Sequence, residues 1–197
     1  MNYLAHIFLS GRNSKIQIGN FIGDAVKGRS YNEYPDEIRS GILLHRAIDD
    51  FTDNHPLIKK ITQEMKPSFG RYSGVLLDIY FDYLLASGFR HYSGASLSKF
   101  SKRFYFAMVR NRKHLPERIR RFMWHFMWTD RLGKYATING IRESLSIMFH
   151  VRHISISVDD AVEYLEAHEK ELRIYFQSFF AELQKFCDDR ISSGGQL

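Results

Sequence analysis

The sequence predicts an all-α, single-domain helical bundle. Three observations carry that prediction. Apolar residues recur mostly at helical spacing, strand-like alternation is scarce, and only four prolines interrupt 197 residues. At 44% hydrophobic and 15% aromatic content the chain is too apolar to stay disordered, and its length suits one domain. The domain is expected over residues 1–190, with a frayed tail at 191–197.

The helices are expected in the following order. The first covers about 2–10. The second covers about 15–27 and stops at Gly28, a residue suited to the left-handed turn after a helix. Pro35 can open the third, with Asp36 and Glu37 in its first turn, and that helix runs to about 51. Thr52 to Pro56 reads as a break and a new start, followed by a helix to about 65. A long apolar helix is expected over about 72–86. Others are expected near 96–110, 116–131 and 134–149. A last long helix at 159–187 would be opened by Asp159 and Asp160.

The formal charge of +6 suits an acidic partner, whether nucleic acid, membrane surface or protein. A single cysteine, Cys187, excludes a disulfide framework within the chain and favours a reducing, cytoplasmic setting. The opening Met1-Asn2-Tyr3-Leu4-Ala5-His6 lacks the basic start expected of a signal peptide, and no apolar run approaches the ~20 residues of a membrane span.

The acids sit where acids are costly. Asp78 and Asp82 are four apart in Val75 to Leu85, a stretch otherwise apolar or aromatic, so they share one face of a buried helix. Two ionised carboxylates there repel each other and lose hydration, which a divalent cation would relieve. The competing reading pairs them with Arg or Lys on a narrow wet stripe. His45 and Asp49 likewise share a face, at a spacing with which one helix turn can hold a metal; a hydrogen-bonded core histidine is the competing reading. His6 and Asp24 each fall in further apolar segments. Gly19 and Gly23, four apart, permit close helix approach there. Four such segments within 82 residues point to a shared His/Asp cluster inside the bundle, of a kind suited to Mn²⁺, Mg²⁺ or Fe²⁺. Asp53 reads equally as a helix cap or a site residue, and Asp50 as solvent-facing. Arg46 could hold a phosphate or pair with Asp49, Asp50 or Asp53, and Lys27 could do likewise or complement a helix end.

The segments MNYLAH, GNFIGDAVKG, GILLHRAIDDFTDNHP and LDIYFDYLL occur in order across roughly residues 1–90. Together they resemble the bacterial acyl carrier protein phosphodiesterases. The resemblance implies a helical fold distantly related to the HD-domain phosphohydrolases and a dependence on divalent metal, usually Mn²⁺. It implies hydrolysis of the phosphodiester joining 4′-phosphopantetheine to a carrier-protein serine, giving apo carrier protein. The matched site residues are His6, Asp24, His45, Asp49, Asp78 and Asp82. One departure from HD proteins stands out: His45 is followed by Arg46, not by Asp. On this reading His45, Asp49, Asp78 and Asp82 hold the metal. Asp24 is a ligand or the base that orients water, His6 or a metal-bound water serves as general acid, and Arg46 offsets phosphoryl charge.

Arg110, Arg112, Lys113, Arg118, Arg120 and Arg121 form a basic run that could dock an acidic carrier protein, or be a solvated helix start. Two other functions compete. One is a phosphohydrolase of a small nucleotide or phosphate ester using the same cluster. The other is an RNA-binding helical domain stacking bases on Phe122, Trp124 and Trp128; alternating aromatics on a helix are more often core, which argues against it. Neither a nucleic-acid nor a membrane partner is expected. The acidic face at Asp159, Asp160, Glu163, Glu166, Glu169 and Glu171 carries no functional assignment.

Overall fold

Capping side chains mark most helix starts. The computed structural model describes residues 3–193, and these contain helices and turns with no strand. Helix α1 spans Tyr3–Leu9. Helix α2 spans Ser14–Ile22, where the Asn13 side chain accepts from the Lys15 N–H. The chain then tightens into a 3₁₀ turn at Gly23–Ala25, so the second helix ends at Ile22, short of the expected stop at Gly28. Helix α3 spans Asp36–Asn54, with Asp36 and Glu37 in its first turn as expected.

The break expected over Thr52 to Pro56 falls at the end of that stretch. Thr52 Oγ1 donates to the Ile48 carbonyl and Asn54 Nδ2 to the Asp50 carbonyl, so these side chains feed back onto their own helix. The chain turns only at His55, whose ring accepts from the Leu57 N–H and opens α4 at Pro56–Phe69. Asp53 is therefore an exposed residue inside α3 and caps nothing. Asp50 is exposed, as its pattern suggests.

Helix α5 spans Ser73–Ser87 and is the apolar central rod. It is followed by α6 at Phe89–Ser93, α7 at Leu97–Arg110, α8 at Glu117–Trp128 and α9 at Arg131–Lys134. The short α6 and α9 have too few residues to show helical periodicity, and the sequence pattern did not separate them. Helix α10 spans Ile138–Arg152, capped by Thr137, and α11 spans Val158–Ser192, capped by Ser157. The long helix continues to Ser192 where fraying was expected; residues 194–197 of the expected tail lie outside the described residues. No helix among the described residues is long and apolar enough to cross a membrane.

The core is an aromatic layer between α5 and α11. Phe81 packs on Phe176 and Phe179, and the Tyr80 hydroxyl donates to the Ala161 carbonyl at 2.6 Å. Cys187 is buried in that layer, and burial pushes its thiol up to about 12.

Helices α2 and α3 cross with their backbones in contact. A Cβ on Gly19 would lie 2.0 Å from the Ile38 carbonyl oxygen and 2.9 Å from Gly41 Cα. A Cβ on Gly41 would lie 2.2 Å from the Ile16 carbonyl oxygen. No side chain can give way there, because the obstacle is backbone. Gly19→Ala should therefore lower stability by about 3 kcal/mol or more, read as a fall in the urea midpoint. An unchanged midpoint would contradict the crossing.

Candidate metal centre

The close crossing brings two histidines face to face. His6 of α1 and His45 of α3 stack with ring centroids 4.1 Å apart and planes 23° apart. Both are buried. Gly23 makes the space: a Cβ there would lie 2.3 Å from His45 Cγ and 2.6 Å from its Cβ.

One hydrogen-bond chain orients both rings. Ser10 Oγ donates to the His6 carbonyl at 2.8 Å, so its remaining role toward Asn20 is to accept. Asn20 Nδ2 donates to Ser10 Oγ at 2.8 Å. That fixes the amide, leaving Asn20 Oδ1 as an acceptor facing the histidines. It lies 2.8 Å from His6 Nδ1 and 3.2 Å from His45 Nδ1. Each Nδ1 therefore carries the hydrogen, and each Nε2 presents its lone pair on the opposite side. There they meet Asp49, whose Oδ1 is 3.2 Å from His6 Nε2 and whose Oδ2 is 3.2 Å from His45 Nε2. Asp24 Oδ1 lies 3.4 Å from the same His45 nitrogen.

Two imidazole lone pairs converging on carboxylate oxygens repel unless a cation lies among them. One ligand atom from each of His6, His45 and Asp49 falls within 4.8 Å of the others. His45 Nε2 is buried without a hydrogen-bond partner despite the two nearby carboxylates. The donor set of two nitrogens and oxygens fits a divalent metal. Without a metal, a proton takes the cation's place. Burial disfavours charge on His45, but the Asp24 and Asp49 carboxylates outweigh it and push its pKa up to about 9. Burial pulls His6 down to about 4, despite its contact with Asp49 and helped by the neighbouring His45 charge. Burial would raise the Asp49 carboxyl, yet His45 and His6 hold it well below the usual carboxylate range. Exposed Asp24 is lowered by its His45 contact against a smaller burial effect.

The remaining candidates sit elsewhere. Asp82 is fully buried but is not in the group. Its Oδ2 accepts from the Leu4 N–H at 2.9 Å and its Oδ1 from the Ala5 N–H at 3.0 Å. The N-terminus of α1, with its unpaired N–H groups and positive dipole end, solves the buried-charge problem for which a metal was expected. Burial still raises Asp82 to about 7, with those two N–H bonds opposing it. Asp78, one turn away, also lies outside the group, and burial raises its pKa. His6 differs from the expected general acid. Nδ1 is bonded to Asn20 and Nε2 faces Asp49, which leaves no ring nitrogen for a leaving group. Arg46 makes no ion pair with Asp49, Asp50 or Asp53 among the described residues. Its Nη2 donates to the Val26 and Gly28 carbonyls at 3.0 and 2.8 Å, and its guanidinium lies over Tyr31, pinning the segment that carries Asp24. Lys27 is exposed beside that segment.

The basic run is exposed at Arg110, Arg112, Lys113, Arg118, Arg120 and Arg121. Arg121 pairs with Glu117. Arg118 faces a cavity of about 600 Å³ that also has Asp24 in its wall. Trp124 and Trp128 are exposed, while Phe122 packs against the core.

Asn20, Ser10 and Gly23 are the residues that sequence reasoning passed over as site parts. The signal for Asn20 was the one used for the acids, a polar side chain in an apolar helix four residues before Asp24. It was missed because an amide is neither a charge nor a usual metal ligand. Ser10 carries no such signal, and Gly23 was legible only as a small residue permitting close helix approach.

Residues 1–183 match the sequence model of a family described as Acyl carrier protein phosphodiesterase. The chain is also similar to curated proteins of that name. The protein from Yersinia pestis is 28% identical over 192 residues, covering 94% of this chain and 96% of the relative. The one from Pectobacterium atrosepticum is 29% identical, covering 95% and 97%. The one from Escherichia coli is 28% identical, covering 94% and 96%. No solved structure matches.

Proposed function

The chain belongs to the acyl carrier protein phosphodiesterase family, and from that premise we propose that it hydrolyses 4′-phosphopantetheine from holo carrier protein at the His6–His45–Asp49 centre. The convergence of the two Nε2 atoms and the Asp49 carboxylate is the observation that carries this reading. Water oxygen would bond to phosphorus while the bond to the serine oxygen breaks; the water's proton goes to the exposed Asp24 carboxylate and the leaving serine oxygen takes up a proton from solvent. The products are 4′-phosphopantetheine, a phosphomonoester, and a carrier protein with a free serine hydroxyl.

His6, His45 and Asp49 would hold one divalent cation; this N/O set suits Mn²⁺, Mg²⁺ or Fe²⁺, and the family resemblance favours Mn²⁺ among them. Bound there, such an ion would supply Lewis acidity that lowers the pKa of water and offsets phosphoryl charge. Asp24 is exposed, anionic and 3.4 Å from His45 Nε2, so it is placed to orient the attacking water and take its proton. Arg46 holds the Asp24 segment in place through Val26 and Gly28. Asn20 keeps both histidines in the tautomer that faces Asp49. A cytoplasmic setting agrees with the single, buried thiol of Cys187.

The test is mass spectrometry of holo carrier protein incubated with the enzyme and Mn²⁺, beside a panel of nucleotides and phosphate esters. Loss of the prosthetic group that stops with EDTA is expected. Turnover of the panel alone would overturn the assignment. The basic run would dock the acidic carrier protein through its exposed arginines. Charge reversal at Arg118, Arg120 and Arg121 should raise KM by about tenfold or more with little change in kcat, as for rim charges that steer association. An unchanged KM would dismiss that surface.

A further inference from the structure

A cavity adjoins the His–Asp centre through Asp24. Its volume is about 600 Å³, within the range of sites for small organic ligands. Its floor is apolar, with Phe21, Ile79, Ile119 and Phe126 all buried. Toward solvent, Ile147 and Val151 of α10 stand exposed at its edge. Asp24, in its wall, connects it to His45.

Three arginines line it as well: Arg118 of α8, Arg131 of α9 and Arg152 of α10. None of them has a carboxylate partner among the described residues, whereas Arg39, Arg121, Arg142 and Arg173 are all paired. All three act on one group in the same wall. The Tyr3 hydroxyl, also in the wall, is pushed up by burial and then by Asp24, and drawn down by Arg118, Arg152 and Arg131 together. Cations brought together without counter-charges favour an anion. An apolar floor next to them favours an anion with an uncharged organic body.

We propose that this cavity seats the phosphopantetheinyl group itself, with its phosphate between the arginines and Asp24 and its amide–thiol arm along the Phe126 and Met148 wall. This rests on the hydrolase reading above, and deepens it by assigning the subsite that recognises the phosphopantetheine arm. The buried Ser144 hydroxyl donates to the Gly140 carbonyl, and its oxygen stays available to accept from an amide of the arm. Met148 is half-buried, so a larger side chain there narrows the cavity, and Val151 at the edge is 65% exposed and tolerates bulk.

The experiment is calorimetric titration of the full chain, in EDTA, with 4′-phosphopantetheine, pantetheine and inorganic phosphate. Phosphopantetheine should bind at least tenfold more tightly than either of the others. Met148→Trp and Val151→Trp should each weaken it tenfold or more, at unchanged melting temperature. If Met148→Trp also lowers the melting temperature, Val151→Trp decides. Arg152→Gln should weaken phosphopantetheine tenfold while leaving pantetheine unchanged, a pattern that general damage to the fold would not produce. Wild-type chain that releases the arm from holo carrier protein, yet binds phosphopantetheine equally well in all three variants, would overturn the subsite and leave the hydrolase reading intact. Wild-type chain that releases nothing would defeat the hydrolase reading instead; variant-sensitive binding of phosphopantetheine would then still support the subsite.

Discussion

Asp49→Asn should abolish release of the prosthetic group, by about 10³-fold or more in kcat, equivalent to about 4 kcal/mol of lost barrier reduction. The substitution keeps the size of the side chain and removes its charge. The two oxygens of Asp49 each face a different histidine, at 3.2 Å in both cases. It sits four residues after His45 on α3, so helix geometry and not a flexible loop sets the distance. Its side chain is 40% exposed, which leaves the centre open to substrate from that side. Neutral Asn would leave two buried imidazoles without the anion that balances a cation. Mn²⁺ affinity, measured by calorimetry, should fall with activity while the helical circular dichroism spectrum persists. Wild-type Mn²⁺ affinity should climb as pH rises toward 9, because His45 carries a proton below that pH and must lose it to bind the ion. Full turnover in Asp49→Asn, with an unchanged metal requirement, would sink the centre.

Asn20→Ala should weaken Mn²⁺ binding by roughly 10- to 100-fold, the usual effect of removing a group that orients metal-ligating histidines. Asn20 is fully buried and accepts from both Nδ1 atoms through one oxygen. Alanine leaves the two Nδ1–H groups without their partner, at about 1–3 kcal/mol for each unsatisfied group, while the Ser10 hydroxyl keeps its bond to the His6 carbonyl. The rings would then shift their hydrogens to Nε2, where Asp49 can accept them, and the lone pairs would no longer face the centre. Asn20→Asp keeps the acceptor and should restore much of the affinity that alanine loses. A merely structural role predicts the reverse, since a buried carboxylate disturbs packing more than a methyl group does. Equal Mn²⁺ affinity in wild type and Asn20→Ala would show that the orienting chain does not matter.

The sequence by itself determined the helical architecture and the neighbourhood of the site. Apolar spacing placed nine of the eleven helices among the described residues, because a buried stripe must repeat at 3.6 residues wherever a helix packs on a core. The i, i+4 pair His45 and Asp49 was legible for the same reason, since both residues ride on one helix and need no tertiary information to meet. The family resemblance over residues 1–90 agreed with the match over residues 1–183. Only the tertiary structure decided what each buried polar group does. Asp78 and Asp82 follow the same spacing rule as His45 and Asp49, yet Asp82 meets two N–H groups at the start of α1. Burial demands a partner for a charge but does not name it; a metal and a helix N-terminus satisfy the same demand. Likewise His6, Asn20 and His45 come from three helices, and their stack exists because Gly19, Gly23 and Gly41 let α2 and α3 approach until no Cβ would fit. Such a crossing is a property of two backbones at once, and the pattern along either one does not contain it.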